Sequence, residues 1–341
     1  MKGAVAGADT WTAWEAVALR LAARFEPLAE RGGFEFRQPA ALQAAVPRRL
    51  RRDYTVPVHW TSWGPADGPR LLCVGGVASS AARFSFLAAD MARAGWRVVC
   101  MDWVGRGRSG WLADESEYGL PVLVEQLRQA VAALGGGPLA LLGSSMGASA
   151  AIAYAAREPK RVSRLVLNDT GPFLARARRQ RRAEVLARWY VFRTPAEIMR
   201  RVGASQKHDG PVSDEVRHFL AWQTTRWSDA DGGRVYRHDP RALLAYRRDA
   251  QQALLQWPDW AQVRCPVLLL HGLESDALSA ATIARMRRGH AVTVAHVPAT
   301  GHTPVLDDRH QTAAIADWLA DPAPAPVQYS LTLAPPRGAG R

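Results

Sequence analysis

Leu141-Leu142-Gly143-Ser144-Ser145-Met146-Gly147 is the stretch on which the fold of this chain turns. An apolar run enters a Gly-x-Ser-x-Gly pattern and continues into Ala148, Ser149, Ala150 and Ala151, residues small enough for a helix to pack closely on a sheet. A tight strand-to-helix turn crowds its own backbone, so the positions flanking the central serine must be small. The pattern predicts Ser145 at the tip of such a turn with its Oγ exposed. The following helix would aim its N-terminal dipole at an anion forming there. Ser144 is then a flanking residue and Ser145 the nucleophile.

A serine hydroxyl is a poor nucleophile near neutral pH and needs a base, which needs an orienting acid. Both follow in the chain. The run 267–270 leads into His271-Gly272-Leu273-Glu274-Ser275-Asp276, and the run Val292–Val297 leads into Pro298-Ala299-Thr300-Gly301-His302-Thr303-Pro304. Each places a candidate on a loop after a strand, in the order Ser145, Asp276, His302. For the acid, Asp276 leads because it follows the later strand. Asp169, in Leu167-Asn168-Asp169-Thr170, also follows a strand and is the alternative; Glu274 is a third option.

Working outward, short apolar β-branched runs at 71–74, Arg97–Met101, 139–142 and 165–167 alternate with helical patterns near 84–94, 119–134, Met146–Arg157, 280–288 and 308–320. Such alternation predicts a mostly parallel α/β sheet covered on both faces. Tyr54–Trp63, with Pro57 inside it, is expected at an antiparallel edge. Between 171 and 260 the alternation stops. That segment is rich in Arg and Trp, helical in pattern and without a core strand, so a helical cap inserted in the core (54–170 and 261–320) is expected. Residues 1–53 form an N-terminal helical extension, with Trp11, Trp14, Val17, Leu21, Phe25 and Leu28 at helical spacing. That helix is expected to dock on the protein's own surface rather than on a membrane. The Pro/Ala-rich tail 321–341, ending in Arg337 and Arg341, is expected to be mobile.

These residues resemble the α/β-hydrolase fold superfamily, in particular its bacterial members with a helical cap. Besides the Ser-Asp-His positions, Asp102-Trp103-Val104-Gly105-Arg106-Gly107-Arg108-Ser109 looks like that family's turn before the nucleophile strand, and 167–172 like its approach to the cap. The resemblance spans roughly 54–319. It implies an oxyanion hole of backbone N–H groups at Val77 and Met146. The family usually carries His-Gly after its first parallel strand, where this chain has Gly75-Gly76. Backbone donors do not need that imidazole, but Gly75 could let the loop flex, and each donor lost costs about 10²–10³ in rate.

Composition narrows the function. The 341 residues are 48% hydrophobic and 22% charged, ample for a core without disulfides, and no apolar run approaches membrane-spanning length. No signal-peptide pattern opens the chain, and Cys73, Cys100 and Cys265 are isolated. A reducing cytoplasm is therefore the expected compartment. No cofactor and no metal is called for, because no His/Asp cluster has ligand spacing. His59, His271 and His296 are read as structural or surface residues.

The net charge of +13 invites a nucleic-acid reading, but only three of the 44 basic residues are lysines and no binding motif accompanies the arginines. No specific nucleic acid is expected. Over 171–264 there are 18 basic against 10 acidic residues, with Arg176, Arg178, Arg179, Arg181 and Arg182 clustered where the insertion begins. A positive cap of that kind would favour an anionic small-molecule acyl substrate. The leading expectation is a serine hydrolase cleaving a carboxylic ester through an acyl-enzyme. Acyl transfer, thioester cleavage or C–C hydrolysis could use the same residues, and a non-catalytic binding protein on the same fold is the rival from another class.

Overall fold

The computed structural model describes residues 10–25, 28–43, 45–205 and 210–335. Thr10 caps the first helix, α1 (Trp11–Ala22), its hydroxyl accepting from the Ala13 N–H at 3.2 Å. Then come β1 (Ala29–Gln38), β2 (Tyr54–Trp63), β3 (Arg70–Val74), α2 (Ser85–Arg93), β4 (Arg97–Met101), α3 (Leu120–Ala133), β5 (Leu139–Ser144), α4 (Met146–Arg157) and β6 (Val162–Asn168). The insertion follows: β7 (Phe173–Leu174), α5 (Arg176–Leu186), β8 (Val191–Phe192), α6 (Pro195–Ser205), α7 (Asp214–Gln223), β9 (Thr225–Ser228), β10 (Gly233–Tyr236), α8 (Pro240–Asp249), β11 (Leu254–Leu255) and α9 (Trp257–Trp260). The core resumes with β12 (Val267–Gly272), α10 (Ala280–Arg287), β13 (Val292–Val297), α11 (Arg309–Ala320) and β14 (Gln328–Ser330).

Nine strands form the central sheet in the order β1-β2-β4-β3-β5-β6-β12-β13-β14, parallel from β4 onward. Alternation within a strand sends side chains to both faces. Leu71 and Cys73 of β3 join Leu87 and Met91 of α2 and Trp318 of α11 on one side. Leu72 and Val74 join Leu127 of α3 and Ile152 of α4 on the other. Both faces are covered, which is why the strands read as unbroken apolar runs rather than as alternating ones.

The two ends of the chain depart from expectation. β2 is not an edge strand, because Ala29–Gln38 pairs antiparallel along its whole length. Pro57 is compatible with this interior position because β2 pairs with β4 only at 60–63. In β1, a Cβ on Gly33 would sit 2.2 Å from the Val58 carbonyl oxygen. The Gly32-Gly33 pair that hides this strand from a propensity reading is thus what lets it approach β2. At the other end, Gln328–Ser330 pairs parallel with β13, so that part of the tail is an ordered strand. Arg337 and Arg341 lie outside the described residues.

The insertion is not purely helical. Its short strands form a three-stranded sheet, β8-β10-β9, and the pair β11-β7, whose register Leu254↔Leu174 ties the end of the insertion to its start. The helix α1 docks on it: Trp14 is fully buried, with its ring 5.5 Å from that of Trp222. Its apolar face is therefore used in packing. Among the described residues no helix is long and apolar enough to cross a membrane. Cys73 and Cys100 are buried free thiols, and Cys265 is half-buried.

Candidate active site

Ser145 sits between β5 and α4 at φ 53° and ψ −117°, a backbone region that non-glycine residues rarely occupy and that costs energy to hold. The surrounding glycines make the turn possible. A Cβ on Gly143 would lie 2.6 Å from Ala148 Cα, and one on Gly147 would lie 2.3 Å from the Val74 carbonyl oxygen. Neither contact is sterically available. The Gly-x-Ser-x-Gly pattern is here a requirement of close backbone approach between β3, β5 and α4.

Strand register brings the acid to the serine. β5 and β6 are parallel neighbours with Ser144 opposite Asn168, so the next residues of each, Ser145 and Asp169, leave the sheet side by side. The loop after β13 lays His302 across them. Ser145 Oγ–H lies 3.1 Å from His302 Nε2, and His302 Nδ1–H lies 3.0 Å from Asp169 Oδ2. Asp169 is fully buried at φ 51°, a left-handed conformation that aspartate tolerates better than most residues. Its Oδ1 accepts the Gly272 N–H at 3.0 Å and its Oδ2 the Ser275 hydroxyl at 2.5 Å. The carboxylate thus has fixed partners besides the imidazole.

Asp276, the leading acid from chain order, is placed elsewhere. Its carboxylate is largely exposed and pairs with Arg178 at 2.8 Å and Arg181 at 3.7 Å. Burial raises its pKa, but the Arg178 guanidinium overrides this and holds it below the ordinary carboxylate value. Glu274 is exposed. The end of β12 and the loop after it contribute the Gly272 amide and Ser275 to hold Asp169, rather than an acid to His302. In the sequence nothing local marks Ser275, which stands between the two more conspicuous carboxylates Glu274 and Asp276. Burial also pulls the His302 pKa below the ordinary histidine value; the Asp169 hydrogen bond opposes this, while Arg178 and Arg182 add to it. The imidazole is therefore poised in its neutral form, able to accept a proton.

The loop after β3 passes beside the serine: a Cβ on Gly76 would come within 3.3 Å of Ser145 Cβ. Val77 follows it, and Met146 is the first residue of α4. The turn 102–109 holds this loop at three points. Trp103 Nε1–H donates to the Gly75 carbonyl at 2.9 Å, Arg106 Nε–H to the Val77 carbonyl at 3.0 Å, and the Ala81 N–H to Asp102 Oδ1 at 2.7 Å. Arg106 also reaches Met146 Sδ at 3.8 Å. Burial of this guanidinium lowers its pKa to about 10. Where the resemblance leads one to expect a histidine, a Cβ on Gly75 would meet Ser79 Oγ at 3.0 Å. The Gly75-Gly76 loop is thus bonded and packed. Arg106 was visible in the sequence only as one arginine among many.

Two cavities meet at Ser145. One, of about 140 Å³, is lined by Val77, His302 and Thr303 of the core and by Arg178, Arg182 and Arg201 of the insertion, among others. The other, of about 90 Å³, is lined by Val104, Leu120, Leu123, Leu174 and Leu254 together with Arg106, Arg179 and Asp249, and touches Met146. Of the aromatic residues in the insertion, Tyr190, Tyr236 and Tyr246 line the first cavity. Phe192 is buried in a cluster that the insertion shares with Trp14 of α1, and Trp189 and Trp227 are exposed.

This arrangement of sheet, elbow and loops defines a class, and the comparisons agree with it. The chain belongs to the alpha/beta hydrolase fold family, whose model matches residues 69–309. It is 30% identical over 283 residues, 80% of this chain and 94% of the other, to a 3-hydroxybutyrate-oligomer hydrolase of Cupriavidus necator. It is 28% identical over 180 residues, half of this chain and 66% of the other, to a lipase of Mycobacterium tuberculosis. A crystal structure from Rickettsia typhi described as a putative hydrolase superposes with a TM-score of 0.77 at 18% identity, covering 85% of this chain and 98% of that one. At that identity the likeness speaks for the fold alone.

Proposed function

We propose that the protein is a serine hydrolase that cleaves a carboxylic ester through an acyl-enzyme on Ser145. The observation that carries this reading is the continuous hydrogen-bond line from Ser145 Oγ through His302 to Asp169. In it, Ser145 Oγ attacks the acyl carbon as His302 Nε2 takes its proton. Asp169 keeps Nδ1 protonated and stabilises the imidazolium. The carbonyl oxygen becomes an oxyanion that accepts the Val77 and Met146 N–H groups, where preorganised donors contribute most to the rate. Collapse expels the alkoxide, which takes the proton from His302 Nε2. Water, deprotonated by the same imidazole, then attacks the acyl carbon and releases the acid and Ser145.

The Cupriavidus relative bears on the substrate. A hydroxy acid joined head to tail is a chain of carboxylic esters, so a 3-hydroxybutyrate oligomer belongs in the first panel beside esters of graded acyl length. A fluorophosphonate probe tests the chemistry: the expected result is one adduct on Ser145, abolished by unfolding and in Ser145→Ala. An intact, folded protein that takes up no probe and hydrolyses no ester of the panel would overturn the proposal.

A further inference from the structure

The two cavities at Ser145 differ in charge and in which part of the machinery they touch. His302 lines the first, the arginine side, whereas Met146 and Ser149 line the second, with no contribution from His302. The wall of the second is richer in apolar side chains and holds a carboxylate, Asp249, as well as two arginines, Arg106 and Arg179, which makes it the apolar side. The leaving oxygen must lie against His302 to take its proton. The alcohol half of an ester therefore lies on the arginine side, and the acyl half on the apolar side. On the arginine side Arg83, Arg178, Arg182 and Arg201 line the wall, with no carboxylate among the described lining residues.

Geometry holds these cations in place. Arg178 and Arg182 stand one helical turn apart on α5 and so share its cavity face. Arg178 is fixed by Asp276 at 2.8 Å. Arg201 donates to the Val185 carbonyl at 3.0 Å, and its guanidinium lies 4.4 Å from the Tyr190 ring centre. Arg83 donates to the Thr303 carbonyl at 2.6 Å, beside the base. Several fixed guanidiniums in a half-enclosed site form a strong and directional receptor for a carboxylate.

From this division we infer that the substrate is an ester with a compact apolar acyl chain and an alcohol half that carries a carboxylate, in other words an acylated hydroxy acid. Arg182 and Arg201 bind the carboxylate, and cleavage releases the hydroxy acid from the arginine side. The inference rests on the proposed ester hydrolysis and adds to it the identity and orientation of the two halves.

Matched substrates test it. O-butyrylglycolate and O-butyrylglycolamide have nearly the same shape and differ in charge on the alcohol half; methyl succinate monoanion and methyl succinamate differ in charge on the acyl half. The expected result is a kcat/KM at least about tenfold higher for the glycolate than for its amide, as a charge-assisted hydrogen bond would give. It should be expressed mainly in KM and shrink with added salt. The succinate pair should show no preference for charge. The glycolate-to-amide ratio should fall toward one in Arg182→Gln and Arg201→Met, and stay put in Arg309→Gln, an exposed change on α11.

Binding of the same pair to folded Ser145→Ala, measured by calorimetry, asks the question without chemistry and should show the same preference in Kd. Equal affinity for glycolate and glycolamide, or a preference that follows charge on the acyl half instead, overturns the inference while leaving ester hydrolysis standing. Tight glycolate binding with no turnover and no Ser145 labelling would overturn the hydrolase reading and leave the carboxylate site standing.

Discussion

The sheet edge beneath the reacting serine and the insertion above it are built on different principles. Below, positions are set by backbone: Ser145 and Asp169 hold positive φ, Gly143 and Gly147 have no room for a Cβ, and strand register puts the two side by side. Above, the cavity wall consists of long side chains from α5, α6 and β10, held by ion pairs and ring contacts. Backbone constraint leaves few residue choices. Side-chain walls leave many, which is why an insertion can change ligand without disturbing the chemistry below it.

The largest test of this contrast sets one carboxylate of the floor against one of the roof. Asp169→Asn preserves shape but loses the charge that orients and stabilises the imidazolium, and a loss of about 10⁴ in kcat is expected. Asp276→Asn should cost less than about tenfold, since its carboxylate is largely exposed and bonded to Arg178, while the His302 Nδ1 hydrogen bond goes to Asp169. Steady-state kinetics on a neutral ester checks both. A larger loss at Asp276 would mean that the acid changes partner when substrate binds, and the backbone account of the site would fail.

Glycines supply the next test. Gly147→Ala would drive a methyl into the carbonyls of Val74 and Gly75, so a destabilisation of about 1–3 kcal/mol is expected from overpacking. Gly203 in α6 meets nothing within 4 Å of a built Cβ. Gly203→Ala should be neutral or stabilise by up to about 1 kcal/mol through helix propensity. Denaturant midpoints at fixed pH compare the two. Equal tolerance at both sites would remove the distinction drawn between floor and roof.

The same contrast explains what could be read in the chain. The elbow, the core strand runs β3 to β6 and His302 were legible because steric crowding and two-sided burial leave marks in residue type. The choice between Asp169 and Asp276 was not, because it depends on which strands are neighbours, and chain order says nothing of register. β1 was hidden by the glycines that let it approach β2, and β14 by the Pro/Ala-rich stretch before it. The short strands of the insertion, two to four residues each, carry too little periodicity to stand out. Arg106 was hidden for another reason: its role depends on three-dimensional contact with Val77 and Met146, which no local pattern encodes.

Roof and floor are nonetheless coupled through charge, and the smallest expected effect measures that coupling. His302 acts as a base only when neutral, so kcat/KM for an uncharged ester should fall on the acid side as the imidazole protonates. Burial places that limb below the ordinary histidine value, and the positive charges of Arg178 and Arg182 push it further down, against the Asp169 hydrogen bond. Arg178 shares its charge with Asp276, whereas Arg182 points along the same face into the cavity. Removing Arg182 takes one positive charge away from the imidazolium, which makes protonation easier. In Arg182→Gln the acid limb should therefore move up, by less than about one pH unit, because a whole unit would need roughly 1.4 kcal/mol and the charge of Arg182 acts on the imidazole less strongly than that of Arg178. The shift should diminish at high salt to the extent that the cavity is open to ions. A limb that stays fixed, or moves down, would show that the cationic wall does not reach the base, and that roof and floor are independent in energy as well as in construction.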